Sequence, residues 1–186
     1  MAIALLANSI ATGAGLVALI AAFGTVSGAH FNPMVTVAAA VNHELTWHQA
    51  RCYIVVQIVG AFAGVAAAHW MFGEPSFFAS QHARSSTAQW WSEFVATFGL
   101  LSVIIGCVRG RPAAVPYAVG CYIAAAYWFT GSTSFANPAV TLARAASDTF
   151  AGIRPVDAPV FILAQIAGGI AATGAMRWLT ATGKKS

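Results

Sequence analysis

Gly131-Ser132-Thr133-Ser134-Phe135-Ala136-Asn137-Pro138-Ala139 and Ser27-Gly28-Ala29-His30-Phe31-Asn32-Pro33-Met34 are two versions of one pattern. In each, a polar stretch of small residues runs into Asn-Pro, and the two Asn residues stand 105 apart (137 − 32). A short apolar run follows each, residues 35–41 and 140–146. Neither run can cross a bilayer, which takes about 20 residues. Asn is a favoured helix N-cap, and Pro suits the first helical position, where no backbone donor is needed. Asn32-Pro33-Met34 and Asn137-Pro138-Ala139 therefore each predict a short helix that begins inside apolar surroundings. Two such starts predict a duplicated unit.

Composition places the pattern in a membrane. Of 186 residues, 59% are hydrophobic and 8% charged, where a soluble domain carries about 25% charged residues. Mean hydropathy is +0.72. Nine basic and five acidic residues leave a formal charge of +4. That is too sparse for a nucleic-acid surface, and it reads as a bias toward the inner face of a membrane. Cys52, Cys107 and Cys121 lie in or beside apolar segments and read as small hydrophobes, with no metal-ligand spacing. The opening residues lack a basic start and a cleavage site, so they read as a membrane span and not a signal peptide.

Outward from the two motifs the chain divides into apolar spans at residues 2–23, 47–72, 90–108, 114–129 and 158–179. Thr46 is a candidate N-cap for the second span. Trp47, Trp90, Trp91 and Trp178 are interface anchors. The longest polar connection is residues 73–88. The expected organisation is one all-α membrane domain over residues 1–186: a first repeat at 1–72, a connecting loop at 73–89 and a second repeat at 90–186. The second repeat reads span, span, half-helix, span, and the first lacks the leading span. With the loop holding Arg109 and Arg111 inside the cell, Arg51, Arg177, Lys184 and Lys185 also fall inside, six of the nine basic residues. The repeats then cross in opposite senses.

These residues resemble the major intrinsic proteins, the aquaporins and glycerol facilitators. The resemblance rests on the paired Asn-Pro-Ala-like motifs, on Glu93 early in the third span, and on Gln57 and Gln165 in matching Gln-Ile-Val-Gly-Ala and Gln-Ile-Ala-Gly-Gly runs. It covers the whole chain. It implies an aquaporin-like inverted-repeat bundle of five spanning helices plus two half-helices, with the family's first helix absent. It further implies a multi-pass protein of the plasma or inner membrane, a homotetramer with one pore per subunit, and no enzymatic activity or cofactor. Glu93 is given the task of accepting hydrogen bonds from the loop that carries Asn137. Two positions depart from the family pattern. Met34 stands where the first signature usually has Ala, and Val140 stands where water-selective members have Arg. By motif position the outer selectivity filter falls on Thr12, Ser134 and Val140, with Ala125 or Tyr127 as the fourth member.

The residue types suit a channel. Non-helical backbone at mid-membrane must line a cavity or be buried in protein. Helix N-termini carry positive partial charge, and an Asn amide whose carbonyl is held by local backbone presents N–H. Water or a hydroxyl would accept from Asn32 and Asn137 at the pore centre, while cations and proton hopping are opposed. His30 is expected to brace its loop through backbone, and Gln57 and Gln165 to tie helices together. His69 is read as interfacial and Arg144, one turn along the second half-helix, as a solvated, loop-bracing residue in preference to one that reaches back into the vestibule. The expected function is passive transport of water and small uncharged solutes, including polyols and arsenous acid. The alternatives are a non-conducting remnant and an ion-coupled secondary transporter, for which Glu93 is the only intramembrane carboxylate.

Overall fold

The computed structural model describes residues 2–182, and the tail lysines Lys184 and Lys185 lie outside them. In chain order the helices are α1 (Ala2–Ser27), α2 (Pro33–Val41), α3 (Trp47–Met71), α4 (Thr87–Gly110), α5 (Val115–Phe129), α6 (Pro138–Arg144) and α7 (Ala158–Thr182), with a 3-10 turn at Pro112–Ala114. Helices α1, α3, α4 and α7 are long and apolar enough to span a membrane. Helix α5 has 15 residues, about 22 Å at 1.5 Å per residue. The 3-10 turn ahead of it adds about 6 Å, so the pair nearly crosses a hydrocarbon core of about 30 Å. This is the expected architecture of five spans and two half-helices.

Helix boundaries move by up to four residues from their sequence positions. Helix α1 runs on to Ser27, and α4 begins at Thr87 rather than at Trp90. The reason at α4 is a capping box: Ser86 accepts from the Gln89 backbone while the Gln89 side chain takes the Ser86 N–H. The same box forms at Thr46 with Gln49 and starts α3 as expected.

Helix α4 packs along α7, α1 packs along α5, and α4 also touches α5, while α2 and α6 meet each other and both rest on α3 and α7. Close approach is made by glycine. A Cβ on Gly120 would lie 2.5 Å from the Gly13 carbonyl oxygen, so the α1 and α5 backbones cross almost in contact. At Gly168 of α7 a Cβ would strike the Phe94 carbonyl oxygen of α4.

The halves correspond as α1 to α5, α2 to α6 and α3 to α7. Among the described residues no helix stands to α3 as α4 stands to α7. By the Gln57–Gln165 match, an offset of 108, the counterpart of Gly168 is Gly60. Gly60 meets nothing within 4 Å, and neither do Gly64 and Gly15. Val55, Val56 and Val59 of α3 are exposed. The bundle is therefore open along α3 and α1, which are bridged by the Tyr53 hydroxyl donating to the Ser27 carbonyl at 3.2 Å.

The connection after α3 folds back over the outer end of the bundle. His69, read as interfacial, is instead buried. Its Nδ1 lies 2.9 Å from the Ser76 carbonyl, its Nε2 lies 2.9 Å from Ser147 Oγ, and its ring stacks on Phe78 at 4.7 Å. A half-polar ring with both nitrogens paired can be buried where an unpaired one cannot, and here it ties the loop to the end of α6.

Candidate solute pore

The two loops before the half-helices share an unusual backbone. Positive φ occurs four, three and one residues before each Asn: Gly28 (73°), Ala29 (46°) and Phe31 (47°) in the first, Thr133 (63°), Ser134 (49°) and Ala136 (48°) in the second. Five of these six residues have a Cβ that disfavours this region. The loops are held there by hydrogen bonds that pair them. Asn32 Nδ2 donates to the Ala136 carbonyl at 2.7 Å, and Asn137 Nδ2 donates to the Phe31 carbonyl at 2.8 Å. Each Asn Oδ1 is occupied locally. Asn32 Oδ1 accepts from Met34 N at 2.9 Å, and Asn137 Oδ1 accepts from Ala139 N and Val140 N at 3.0 and 3.3 Å. One side-chain N–H of each Asn therefore remains after the cross-brace.

A second tier repeats the symmetry. Thr36 and Thr141 donate to the Asn32 and Asn137 carbonyls at 3.3 and 2.9 Å. Gln57 Nε2 donates to Thr36 Oγ1 at 2.9 Å and Gln165 Nε2 to Thr141 Oγ1 at 2.8 Å, so both glutamines tie helices as expected. His30 deviates from expectation: Nδ1 sits 3.1 Å from the Thr36 hydroxyl and not on backbone, because the Thr reaches the ring from the first turn of α2.

The second loop has a further support. The fully buried Glu93 carboxylate accepts from Phe135 N (2.9 Å), Ala136 N (2.8 Å) and Gln165 Nε2 (2.6 Å). Three charge-assisted bonds offset the cost of burying a carboxylate. No carboxylate among the described residues plays this part for the first loop.

Between the halves runs a cavity of about 790 Å³. Thr12, Ser134, Tyr127 and Val140 border it at one end, Asn32 and Asn137 at its middle, and Glu44, Arg109 and Arg177 at the other end. Its inner stretch is apolar, with Leu16, Ile20, Leu101, Ile105 and Val119 in the wall. Burial raises the Glu44 carboxyl at the inner mouth, against the opposing pull of Arg109.

The residues singled out by sequence separate on this surface. Of the six at the two signatures, Asn32 and Asn137 border the cavity, while Pro33, Met34, Pro138 and Ala139 are buried behind it. Met34 is seated in the core against Leu101 and Ala172, where Gly169 of α7 leaves the room its longer side chain requires. Its difference from Ala thus does not alter the wall. Of the alternatives for the fourth outer position, Tyr127 borders the cavity, and Ala125 is exposed on the outside of α5.

Two arginines take roles other than the ones favoured from sequence. Arg144, read as solvated, borders the cavity, and its Nη2 donates to the Tyr127 hydroxyl at 3.0 Å. The Tyr127 hydroxyl in turn lies 3.2 Å from Thr12 Oγ1. The reason is helix phase: four residues past Val140, Arg144 shares its face. Arg84 is buried and clamps the outer loops, donating to the Gly152, Ser132 and Phe150 carbonyls at 2.7, 2.8 and 3.1 Å. Burial and then the neighbouring Arg144 push Arg84 down to about 10, with Glu93 opposing, so it stays charged at neutral pH. Nothing in the spacing of residues 73–88 marks Arg84, since its partners come from two distant loops.

The family described as Major intrinsic protein matches residues 1–134. The chain is 52% identical over 178 residues to "Aquaglyceroporin AqpS" of Rhizobium meliloti (strain 1021), covering 96% of this chain and 76% of that protein. It is 32% identical over 189 residues to "Aquaporin NIP1-4" of Oryza sativa subsp. japonica, covering 96% of this chain and 66% of the relative. A third relative, "Aquaporin NIP1-1" of Zea mays, is 29% identical over 184 residues, with 95% and 64% covered. The chain thus spans about two thirds to three quarters of these relatives. Paired half-helices, a cavity between them and these similarities agree: the chain belongs to the major intrinsic protein family of multi-pass membrane channels.

Proposed function

We propose that the protein passes uncharged solutes larger than water, polyols and neutral metalloid hydroxides among them, and that it works as a homotetramer. The coarser part is the family's own property: a passive, non-enzymatic channel for water and small solutes. The observation that carries the proposal is the cavity bordered by Asn32 and Asn137 with Val140, a short apolar side chain, at the position that follows the second signature. The 52% identical relative named an aquaglyceroporin supports the polyol reading.

The mechanism follows from the donors. Each Asn keeps one amide N–H after bracing the opposite loop, at the positive end of a half-helix. A solute oxygen accepts there, while the Oδ1 atoms are turned to the backbone N–H groups of their own half-helices. A hydrogen-bonded proton wire is interrupted and cations meet a positive field. The apolar inner wall holds a solute weakly and lets it leave. Ion-coupled transport is disfavoured because Glu93 is saturated by loop donors and does not border the cavity.

A water-only reading is favoured by one contact, the Tyr127–Arg144 hydrogen bond across the outer end. Glycerol and arsenous acid uptake by proteoliposomes separates the two. Val140→Arg is expected to lower uptake of both solutes about tenfold or more while sparing water, since a filled constriction rejects by size. Parent protein that passes water alone, or a Val140→Arg variant with unaltered glycerol uptake, contradicts the wide filter.

A further inference from the structure

The outer end of the cavity carries a charge that position 140 does not supply. Arg144 stands one turn beyond Val140 on α6 and reaches back along the same face. Two contacts, one of them braced in turn by Thr12, hold its guanidinium there. Nη2 donates to the Tyr127 hydroxyl at 3.0 Å, that hydroxyl is tied to Thr12 at 3.2 Å, and the guanidinium carbon lies 4.4 Å from the Phe135 ring centroid. Arg84 sits against the same ring at 4.8 Å, but its N–H groups are committed to loop carbonyls. Arg144 differs: its Nη1 is buried without a partner, and so is Ser134 Oγ, on a second residue of the cavity wall. The guanidinium of Arg144 is thus less fully committed to protein acceptors than that of Arg84.

We propose that Arg144 is the specificity-determining cation of the outer constriction. It repels cations from one turn beyond Val140. Tyr127 and Phe135 hold that charge at the cavity wall, beside the path of a neutral solute. Val140 then widens the passage without discharging it, and cation exclusion does not rest on the pore centre alone. Tyr127 is a positioning residue, since it sets where the guanidinium lies. This assignment rests on the channel reading above.

The test uses the full chain in proteoliposomes, with water and glycerol flux read by light scattering and potassium and proton entry read by trapped dyes in the same vesicles. Arg144→Gln is expected to raise cation entry relative to water flux by about tenfold or more, as loss of a unit charge a few ångströms from the path should. Arg144→Lys is expected to restore exclusion. Tyr127→Phe keeps the charge but frees it, and is expected to change the glycerol-to-water ratio at least about threefold with cations still excluded. Arg144→Gln protein that conducts water and excludes cations like the parent overturns the assignment. So does Arg144→Lys protein that leaks as Arg144→Gln does, because a brace and not a charge would then be at stake. If Arg144→Gln does not fold, Tyr127→Phe decides, and an unchanged glycerol-to-water ratio overturns the proposal. A parent that passes neither water nor glycerol overturns the channel reading and this assignment with it, whereas a conducting parent confines any failure to Arg144.

Discussion

Glu93 shows how much a single buried side chain can hold in place. Its carboxylate accepts from the backbone N–H groups of Phe135 and Ala136 and also fixes Gln165, which in turn donates to Thr141. Glu93→Ala leaves three buried donors unpaired, at about 1–3 kcal/mol each. A loss of about 3 kcal/mol or more is expected in thermal unfolding in detergent, together with loss of solute flux. An unaltered unfolding temperature contradicts the role. Glu93 was legible as a lone ionisable group in a span, and the Asn pair was legible from residue type and spacing. Arg144 was not. A charged residue one turn past a motif has no sequence signature that separates a solvated brace from a pore-lining cation, because the distinction depends on Tyr127 and Phe135 arriving from other segments.

The helices were legible for a different reason: spans of apolar residues and Asn-Pro starts are local signals, whereas their ends depend on caps and their faces on partners. Ser86 and Gln89 start α4 three residues before the tryptophans that seemed to mark it. Glycine reports the partners. Gly168 is pressed on the α4 backbone, and its counterpart Gly60 on α3 meets nothing. Gly168→Ala is therefore expected to destabilise the bundle by about 1–3 kcal/mol through overpacking, while Gly60→Ala changes stability by less than about 0.5 kcal/mol. Unfolding of the two variants in detergent checks this. Equal losses would mean that the α3 face is covered by another helix in the particle measured.

The whole molecule is a pair of inverted halves whose meeting point is a crossed pair of asparagines, and its function follows if that meeting point conducts. Asn137→Asp replaces a donor by an acceptor there: it keeps the Oδ1 contacts to Ala139 and Val140 and loses the N–H bond to Phe31, so its unfolding in detergent is measured beside its flux. The decisive measurement is stopped-flow swelling of proteoliposomes in a glycerol gradient, with proton and potassium entry followed by trapped dyes in matched vesicles under an inward gradient of each ion. The parent is expected to swell at least about tenfold faster than protein-free vesicles without proton entry, and Asn137→Asp to lose solute flux or to admit cations. Parent vesicles that swell no faster than bare lipid, or an Asn137→Asp variant identical to the parent in flux and ion exclusion, would contradict a pore built on Asn32 and Asn137.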